Sequence, residues 1–339
     1  MEIGIYTPYS GNPLVDELIY GLHCIDIPVS LCTPSNIDSF EYVIIFNVVW
    51  HANKDTMIYD WDILDYINQH QKIVFIDNAE YGWSTRNKDK LEKYANIYSP
   101  EAIKYRPPYQ QKLRNFLNDK TYPYFIREYS KYINYCGNYF PIDYVIHPST
   151  INILPSSPVS FEEFNMRDYD IICIWGNSHP FRNNITEELN KINCKKIISF
   201  NKINQSMYYS MLSTCKLSVS FDGCGSSSFR EYEIPTHTSL FMNNLSIEQY
   251  MPFVNEESCI KYNVYNSVNQ TEESPDSTDI KDKIEYYLNN IGKLYEIYVN
   301  GLIHVSKYKT PISLANYVIN TINAFNWNGL KTKMKLDLK

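Results

Sequence analysis

MYYSMLSTCKLSVSFDGCGSSSFREYEIPTHTSLFMN, residues 207–243, is the stretch that decides the expected fold. It opens with a short helical pattern at Met207, Met211 and Leu212, continues into an apolar strand at 216–220, and runs into a loop of small residues. A new helix is expected after the loop, followed by a hydrophobic strand at 239–242. Helices and strands that alternate in this way predict a parallel sheet in an α/β protein.

The small-residue loop has the composition of an anion site. Ser226, Ser227 or Ser228 can cap the following helix, and the N–H groups of its first turn would meet the anion together with Arg230. Glu233 lies three residues after Arg230 and therefore on the same helix face. A guanidinium beside a carboxylate can hold a phosphate and, beyond it, a sugar hydroxyl. The stretch therefore indicates a nucleotide-sugar.

A purely structural interpretation fits the same residues. Gly223 and Gly225 would then only shape a tight turn, and Arg230 and Glu233 would form a surface ion pair. The motif alone does not separate these two interpretations. His237, four residues beyond Glu233, likewise fits either a place at the donor or a helix C-cap.

Length and composition indicate a globular protein of two domains. The chain has 339 residues, 44% hydrophobic and 20% charged, which suits two domains of roughly 150 residues each. A linker rich in Pro and Ser at 148–160 separates a predicted N-terminal domain, 1–155, from a predicted C-terminal domain, 160–310. Residues 311–339 are expected to form a helix that packs back on the N-terminal domain, and a basic tail. The net charge of −7 argues against nucleic-acid binding as the default function.

The cysteines and histidines indicate an intracellular protein without a bound metal. The eight cysteines form no C-x-x-C pair, and the seven histidines form no H-E-x-x-H motif. Of two D-x-D sequences, Asp60 is expected to cap a helix, while Asp168 and Asp170 lead into a strand. We therefore expect no metal site. The N-terminus lacks a signal-peptide pattern and no stretch reaches about 18 apolar residues, so a cytoplasmic protein is expected.

Apolar runs and helical patterns alternate along the whole chain. Parallel strands with helices on both faces are expected, and ligands then bind beyond the carboxyl ends of the strands. The expected strands are residues 2–6, 27–32, 42–46, 72–76, 124–129, 144–147, 168–175, 196–200, 216–220 and 239–242. The expected helices include 14–22, 61–70, 111–117, 279–290, 291–305 and 311–325.

Charged side chains follow two strands of the N-terminal domain. Asp77 and Glu80 come after the strand at 72–76, where a catalytic base or an acceptor-binding group would be placed. An aspartate that caps the next helix is the structural alternative. The strand that starts at 124 leads into a charged pair, Arg127 and Glu128.

A second arginine stands near a strand end in the C-terminal domain. The strand at 168–175 is followed by a turn at Gly176, and Arg182 lies in the first turn of the next helix. This arginine is either a phosphate ligand or an exposed side chain.

Four segments together resemble the GT-B glycosyltransferases, in particular the CgeB-like group of spore-protein glycosyltransferases. They are IVFIDNAE (73–80), YFIRE (124–128), DYDIICIWGNSHPFR (168–182) and the helix–strand–loop unit at 207–241. The resemblance implies an α/β protein of two Rossmann-like domains with parallel sheets that face a cleft, followed by C-terminal helices. It also implies that the second domain holds the donor nucleotide.

The resemblance further implies roles for individual residues. Arg182 and Arg230 would contact the diphosphate, and Glu233 would bind the ribose hydroxyls. The two loop glycines would allow the diphosphate to approach closely. The implied donor site consists of Gly176, Arg182, Ser220, Gly223, Gly225, Ser226, Arg230, Glu233 and His237, and the acceptor side consists of Arg127, Glu128 and the catalytic candidates Asp77 and Glu80.

The expected function is a metal-independent, hexosyltransferase-type glycosyltransferase. Its donor would be a nucleotide-diphosphate-sugar, with a UDP-sugar as one candidate, and this donor is a co-substrate, so no cofactor is expected. A glycan, a protein and a modified DNA base are all open as acceptors. Alternative functions are a transferase acting on a modified DNA base, a non-catalytic nucleotide-sugar-binding protein and a sugar epimerase of the same fold.

Overall fold

The computed structural model describes residues 2–7, 11–47, 51–53, 56–57, 72–78, 122–127, 129, 138–176, 181–221, 228–243, 247–262, 278–325 and 327. The predicted helices at 61–70 and 111–117 and the basic tail lie outside these residues. No helix in the described ranges is long and apolar enough to cross a membrane.

The first of two parallel sheets, which we call the N-terminal sheet, is built from short apolar runs. Its strands are β1 (Ile3–Tyr6), β2 (Val29–Leu31), β3 (Tyr42–Asn47), β6 (Lys72–Asp77), β7 (Pro123–Ile126) and β8 (Asn138–Pro141). Two short strands, β4 (His51–Asn53) and β5 (Thr56–Met57), pair separately in an antiparallel manner. The spatial order of the N-terminal sheet is β2-β1-β3-β6-β7-β8.

The second sheet, which we call the C-terminal sheet, follows the same plan. Its strands are β9 (Tyr169–Ile174), β10 (Lys196–Ser199), β11 (Cys215–Ser220), β12 (Ser239–Asn243) and β13 (Ile260–Tyr262). All described neighbours pair in parallel, in the order β10-β9-β11-β12-β13.

Both sheets therefore have the doubly wound order in which the first strand lies between the second and the third. In sheets of this kind the connections leave in opposite directions on the two sides of the first strand, which opens a crevice at the carboxyl ends of the first and third strands. These switch points lie at β1 and β3 in the N-terminal sheet and at β9 and β11 in the C-terminal sheet. They are the places to search for a ligand site.

The helices begin at strong sequence signals. Asn12 caps the first helix by accepting a hydrogen bond from the Leu14 N–H at 3.2 Å, and Thr310 and Ser313 form a capping box at the last described helix. Both of these helices have proline at the first position. The helices are α1 (Pro13–Cys24), α2 (Phe161–Asn165), α3 (Phe181–Asn190), α4 (Gln205–Leu212), α5 (Arg230–Glu233), α6 (Thr278–Asn289), α7 (Ile291–Tyr308) and α8 (Pro311–Ala324).

One hydrophobic cluster contains side chains from a face of each sheet. Ile44 of the N-terminal sheet and Ile172 of the C-terminal sheet both belong to it. Because side chains alternate along a strand, the neighbouring Ile171 and Cys173 belong to a second cluster with α3, α6 and α7. The two sheets thus share one core, and each also carries buried side chains on its other face.

The last described helix packs on the first. A Cβ atom added at Gly21 of α1 would lie 2.0 Å from the carbonyl oxygen of Pro311, at the start of α8. Only a residue without a side chain permits this approach. The contact joins α8, which follows the C-terminal sheet in the chain, to the N-terminal sheet's first helix.

One sequence prediction needs correction, and one strand of the C-terminal sheet was not predicted. The apolar run 144–147 is not a strand, and β8 lies before it at Asn138–Pro141. The backbone of this run has other partners: the Val145 N–H donates to the Glu17 carboxylate at 3.2 Å and the Ile146 N–H to the Lys309 carbonyl at 2.9 Å. The edge strand β13 was not predicted, because three residues with a central lysine give too short a pattern.

The helix α4 is present, but not every residue of the pattern that predicted it is buried. Met207 is exposed, whereas Tyr208, Tyr209 and Leu212 are buried. The apolar side of this helix is therefore mainly aromatic, and it carries two hydroxyl groups into the interior.

Candidate functional site

Two arginines converge on the carboxyl end of β9. Arg182, in the first turn of α3, is buried and donates from Nη1 to the carbonyl of Gly176. Arg230, the first residue of α5, is half-buried and donates from Nε to the carbonyl of Ile174 at 3.1 Å. Nη1 and Nη2 of Arg230 bind no residue in the described part of the chain. The structure thus brings the two predicted phosphate ligands to one strand end.

Glu233 is held from the side by α4. Its Oε1 accepts hydrogen bonds from the Tyr209 hydroxyl at 2.9 Å and from Gln205 Nε2 at 3.2 Å. Its Oε2 has no hydrogen-bond partner among the described residues. Glu233 and Arg230 form no ion pair with each other, so the surface-pair interpretation of these two described residues is wrong.

The ends of the small-residue loop lie close together. The hydroxyl oxygens of Ser220, at the end of β11, and Ser228, just before α5, are 3.3 Å apart. The Ser220 carbonyl also accepts a hydrogen bond from the Tyr262 hydroxyl at 3.0 Å. Gly223, Gly225 and Ser226 lie outside the described residues, and their predicted roles stay predictions.

The predicted serine cap of α5 is wrong for the described residues. Phe229 is the N-cap and makes no side-chain capping bond, and the helix has only four residues before it tightens into a 3₁₀ turn, Ile234–Thr236. The buried carboxylate of Glu231 instead accepts the Ser228 N–H at 3.0 Å and Gln249 Nε2 at 2.9 Å. The N–H at 228 is thus used by the protein's own carboxylate.

His237 is the C-cap residue of that 3₁₀ turn, as one of its two interpretations proposed. The Thr236 hydroxyl donates to the Glu233 carbonyl at 2.7 Å, so the His237 Nδ1, 2.7 Å from the same hydroxyl, is the donor in that pair. The imidazole stacks on Tyr209 with ring centroids 4.8 Å apart. Burial lowers the pKa of His237 to about 4, so the ring is neutral near pH 7.

The described polar side chains at the carboxyl ends of β6 and β7 are buried by contrast. Asp77 is fully buried and its Oδ2 accepts a hydrogen bond from the Tyr124 hydroxyl at 3.3 Å. Arg127 is also fully buried, and its Nε donates to the Asn78 carbonyl at 3.3 Å. The catalytic role of Asp77 and the acceptor role of Arg127 stay predictions, against which their burial argues. Glu80 and Glu128 lie outside the described residues.

An aromatic stack links the two regions. The Arg127 guanidinium lies 4.7 Å from the ring centroid of Tyr144, and the ring of Tyr144 stacks on Phe229 at 4.2 Å. Phe229 directly precedes Arg230 in the chain. The start of α5 is therefore packed against the carboxyl end of the N-terminal sheet.

The described D-x-D sequence serves the fold. Asp170 forms an ion pair with Lys216 at 2.9 Å and accepts the Lys195 N–H at 3.0 Å. Asp60 lies outside the described residues. Within those residues, no group of three His, Cys, Asp or Glu side chains is placed to hold a metal ion, and the six described cysteines are free.

Comparison with known proteins gives structural matches only. No protein-family model and no curated protein sequence matches this chain. HepE from Anabaena, solved in complex with UDP-glucose, is similar in structure with a TM-score of 0.53 and 9% identity, over 96% of this chain and 100% of HepE. TarM matches with a TM-score of 0.44 and 13% identity, over 84% of this chain and 55% of TarM. A protein described as a UDP-N-acetylglucosamine 2-epimerase, from Listeria monocytogenes, matches with a TM-score of 0.44 and 10% identity, over 94% and 95%.

The fold is GT-B. The predicted arrangement of two parallel sheets with helices is thereby confirmed, while membership of the CgeB-like group stays a prediction. Arg230 and Glu233 lie beside the switch point of the C-terminal sheet. Each of them has polar atoms that form no hydrogen bond with a described residue.

Sequence reasoning missed the residues that organise this site. Gln205 and Tyr209 approach Glu233 from α4, and Tyr144 covers Arg127. These residues are far from their partners along the chain, so no local sequence pattern indicates the contacts. The i, i+4 pair on α4 was the one available signal, since it places an amide and a hydroxyl on one helix face.

Proposed function

We propose that this protein is a glycosyltransferase that binds a nucleotide-diphosphate-sugar beyond the carboxyl ends of β9 and β11. The observation that carries the proposal is that two opposite charges on α5 are each only half used by the described protein. The two terminal guanidinium nitrogens of Arg230 and the Oε2 atom of Glu233 form no hydrogen bond with a described residue. A guanidinium suits a diphosphate and a carboxylate oxygen suits a ribose hydroxyl.

A UDP-sugar is the first donor to test. HepE, which shares the fold, was solved with UDP-glucose, and this supports uridine as the base. The motifs at 73–80, 124–128, 168–182 and 207–241 support a relationship to the CgeB-like group. The first point depends on the structural match to HepE, and the second depends on sequence motifs.

The reaction can proceed by electrostatic stabilisation of the leaving group. An acceptor oxygen forms a bond to the anomeric carbon while the bond from that carbon to the diphosphate oxygen breaks, and the diphosphate leaves with the electron pair. Arg230 would stabilise the charge that develops on it, a role that does not require a metal. Arg182 would orient the strand end through the Gly176 carbonyl. Glu80 is the leading candidate for the base that takes the acceptor proton, because Asp77 is buried.

Calorimetric titration with UDP-glucose and UDP tests the donor site. We expect both to bind, and Arg230→Ala to weaken both by about 10–100-fold, because hydrogen bonds to charged groups contribute roughly 1.5–3 kcal/mol. Lys191→Ala is the matched control, since Lys191 is an exposed cation just after α3 whose ion-pair partner among the described residues is Glu188. Unchanged affinity in the Arg230 variant would overturn the proposal.

Product analysis separates the enzymatic alternatives from a binding protein. Incubation with UDP-glucose should release UDP with an added acceptor, and a chelator should leave this release unchanged. Donor binding without any release of UDP would identify a non-catalytic protein. Release that depends on DNA with hydroxymethylated bases would identify a modified base as the acceptor.

A further inference from the structure

Three polar side chains form a closed triangle beside the candidate donor site. The Tyr209 hydroxyl donates to Glu233 Oε1 at 2.9 Å, and Gln205 Nε2 donates to the same oxygen at 3.2 Å. Gln205 Nε2 also donates to the Tyr209 hydroxyl oxygen at 2.9 Å. Each corner of the triangle therefore contacts both of the others.

The proton count of the triangle fixes its direction. Gln205 Nε2 donates to both oxygens, and the Tyr209 hydroxyl has a single proton, which goes to Glu233. A reversed Gln205 amide would place its oxygen against the Glu233 carboxylate, and the repulsion between the two oxygens disfavours that orientation. Burial, together with the adjacent Glu233 charge, raises the pKa of Tyr209, so its hydroxyl keeps this proton at neutral pH.

The ring of Tyr209 is itself held in place. His237 stacks on it with an interplanar angle of 25°. The imidazole is in turn fixed by Thr236, whose hydroxyl donates to the Glu233 carbonyl. The main chain and the side chain of Glu233 are thus both tied to the same small group of residues.

The consequence is an asymmetric carboxylate. Oε1 is occupied by two donors of the protein, and Oε2 has no partner among the described residues. A carboxylate that is locked in this way presents one oxygen in one direction, with little rotational entropy left to lose on binding.

We propose that Tyr209 and Gln205 are positioning residues that fix Glu233 so that its Oε2 meets one ribose hydroxyl of the donor. They would thereby set a preference for a donor that carries this hydroxyl over one that lacks it. The inference rests on the proposed function, because the ribose is that of the nucleotide-sugar.

The chain supplies a matched control in the adjacent residue. Tyr208 is also buried on α4, but its hydroxyl has no hydrogen-bond partner within the described part of the protein. Tyr208→Phe removes the same atom as Tyr209→Phe without breaking any of the bonds in the triangle. The pair of variants therefore isolates the contact to Glu233 from the loss of a hydroxyl in the core.

Titrations with UDP, 2′-deoxy-UDP and 3′-deoxy-UDP test the proposal. The wild type should bind UDP at least about tenfold more tightly than the analogue that lacks the contacted hydroxyl. Tyr209→Phe should reduce this ratio to about two- to threefold, mainly by weakening UDP, and Gln205→Leu should act in the same direction. Tyr208→Phe should keep the wild-type ratio. Thermal unfolding of each variant establishes that it is folded at the titration temperature.

Each other outcome has one meaning. A Tyr209 variant that keeps the wild-type ratio, or that weakens UDP and both deoxy analogues equally, would show a structural role only and overturn the proposal. A wild type that binds all three nucleotides equally would also overturn it, while leaving the donor site in place. A wild type that binds none of them would refute the proposed function itself.

Discussion

The two sheets share one strand order, yet their carboxyl ends use polar side chains in opposite ways. At the N-terminal sheet, Asp77, Asn78 and Arg127 are buried and tied to neighbours from the same sheet region. At the C-terminal sheet, Arg230 and Glu233 are half-buried, and each keeps hydrogen-bonding groups that no described residue takes up.

The difference shows that sheet topology determines where a ligand site can form but not whether a ligand binds there. Both sheets have a switch point where a ligand could bind, but the side chains decide whether the polar groups there serve the fold or a ligand. Changes at Asp77, Asn78 or Arg127 should therefore appear mainly as lost stability. Changes at the C-terminal strand ends should appear mainly as lost affinity.

The largest effect is expected at the ion pair beside the N-terminal sheet. Asp143, two residues after β8, and Lys309, just after α7, are 2.6 Å apart and fully buried. Lys309→Met should lower the free energy of unfolding by about 3–5 kcal/mol, because it removes the cation of a fully buried ion pair. Urea unfolding measures this loss, and UDP affinity of the folded fraction should be unchanged.

A double variant provides the control for that measurement. Asp143→Asn combined with Lys309→Met removes both charges, so it should lose clearly less than Lys309→Met alone. Equal losses in the single and the double variant would show that packing, and not the charge pair, stabilises this end of the sheet.

At the C-terminal sheet, we expect the free energy of unfolding to depend on pH by about 3 kcal/mol. His237 has a pKa of about 4 in the fold, below its ordinary 6.5, because burial disfavours the charged ring. Its neutral form is favoured, so its contribution is complete above about pH 6.5 and is lost as the pH falls towards 4. Urea unfolding of wild type and His237→Phe across this range should show a shallower acid loss in the variant.

His304 is the matched comparison for that experiment. Its pKa is also lowered to about 4, by burial first and then by the Lys309 charge, and it lies on α7 away from Glu233. His304→Phe should flatten the acid loss to a similar degree. UDP affinity at neutral pH should fall only in the His237 variant, because, of these two histidines, only His237 stacks on Tyr209, which holds Glu233. Identical pH profiles for both variants and the wild type would contradict the assignment.

The sequence was sufficient for most of the framework. Strands such as β3 and β9 contain continuous apolar runs rich in β-branched residues, at 43–46 and 171–174, which are typical of strands buried on both faces. The run 144–147 also contains adjacent β-branched residues but is not a strand. Its N–H groups instead donate hydrogen bonds to the Glu17 carboxylate and to the Lys309 carbonyl. Those partners are far away in the chain, and no local pattern could reveal them.

In the candidate site, too, local sequence signals predicted some residues, whereas contacts between distant parts of the chain could not be predicted. Arg230 and Glu233 could be found because a loop of small residues and an i, i+3 spacing are local signals. The orientation of Glu233 could not, because it depends on Gln205 and Tyr209, which reach it from a different helix. The burial of Arg127 under Tyr144 is likewise a tertiary contact that charge and spacing do not encode.

The sharpest comparison is between one arginine from each sheet, and it carries the smallest expected change in stability. Arg127→Met should lower the free energy of unfolding by at least about 2 kcal/mol, because the contacts it removes include the bond to the Asn78 carbonyl and the one with the Tyr144 ring. Its UDP affinity should stay within about twofold of wild type, whereas Arg230→Ala should lose affinity with a stability change below about 1 kcal/mol. Urea unfolding and calorimetry on the same two preparations give all four values. An Arg127 variant that kept its stability but lost UDP affinity would place this arginine at the ligand, and the contrast between a closed and an open strand end would fail.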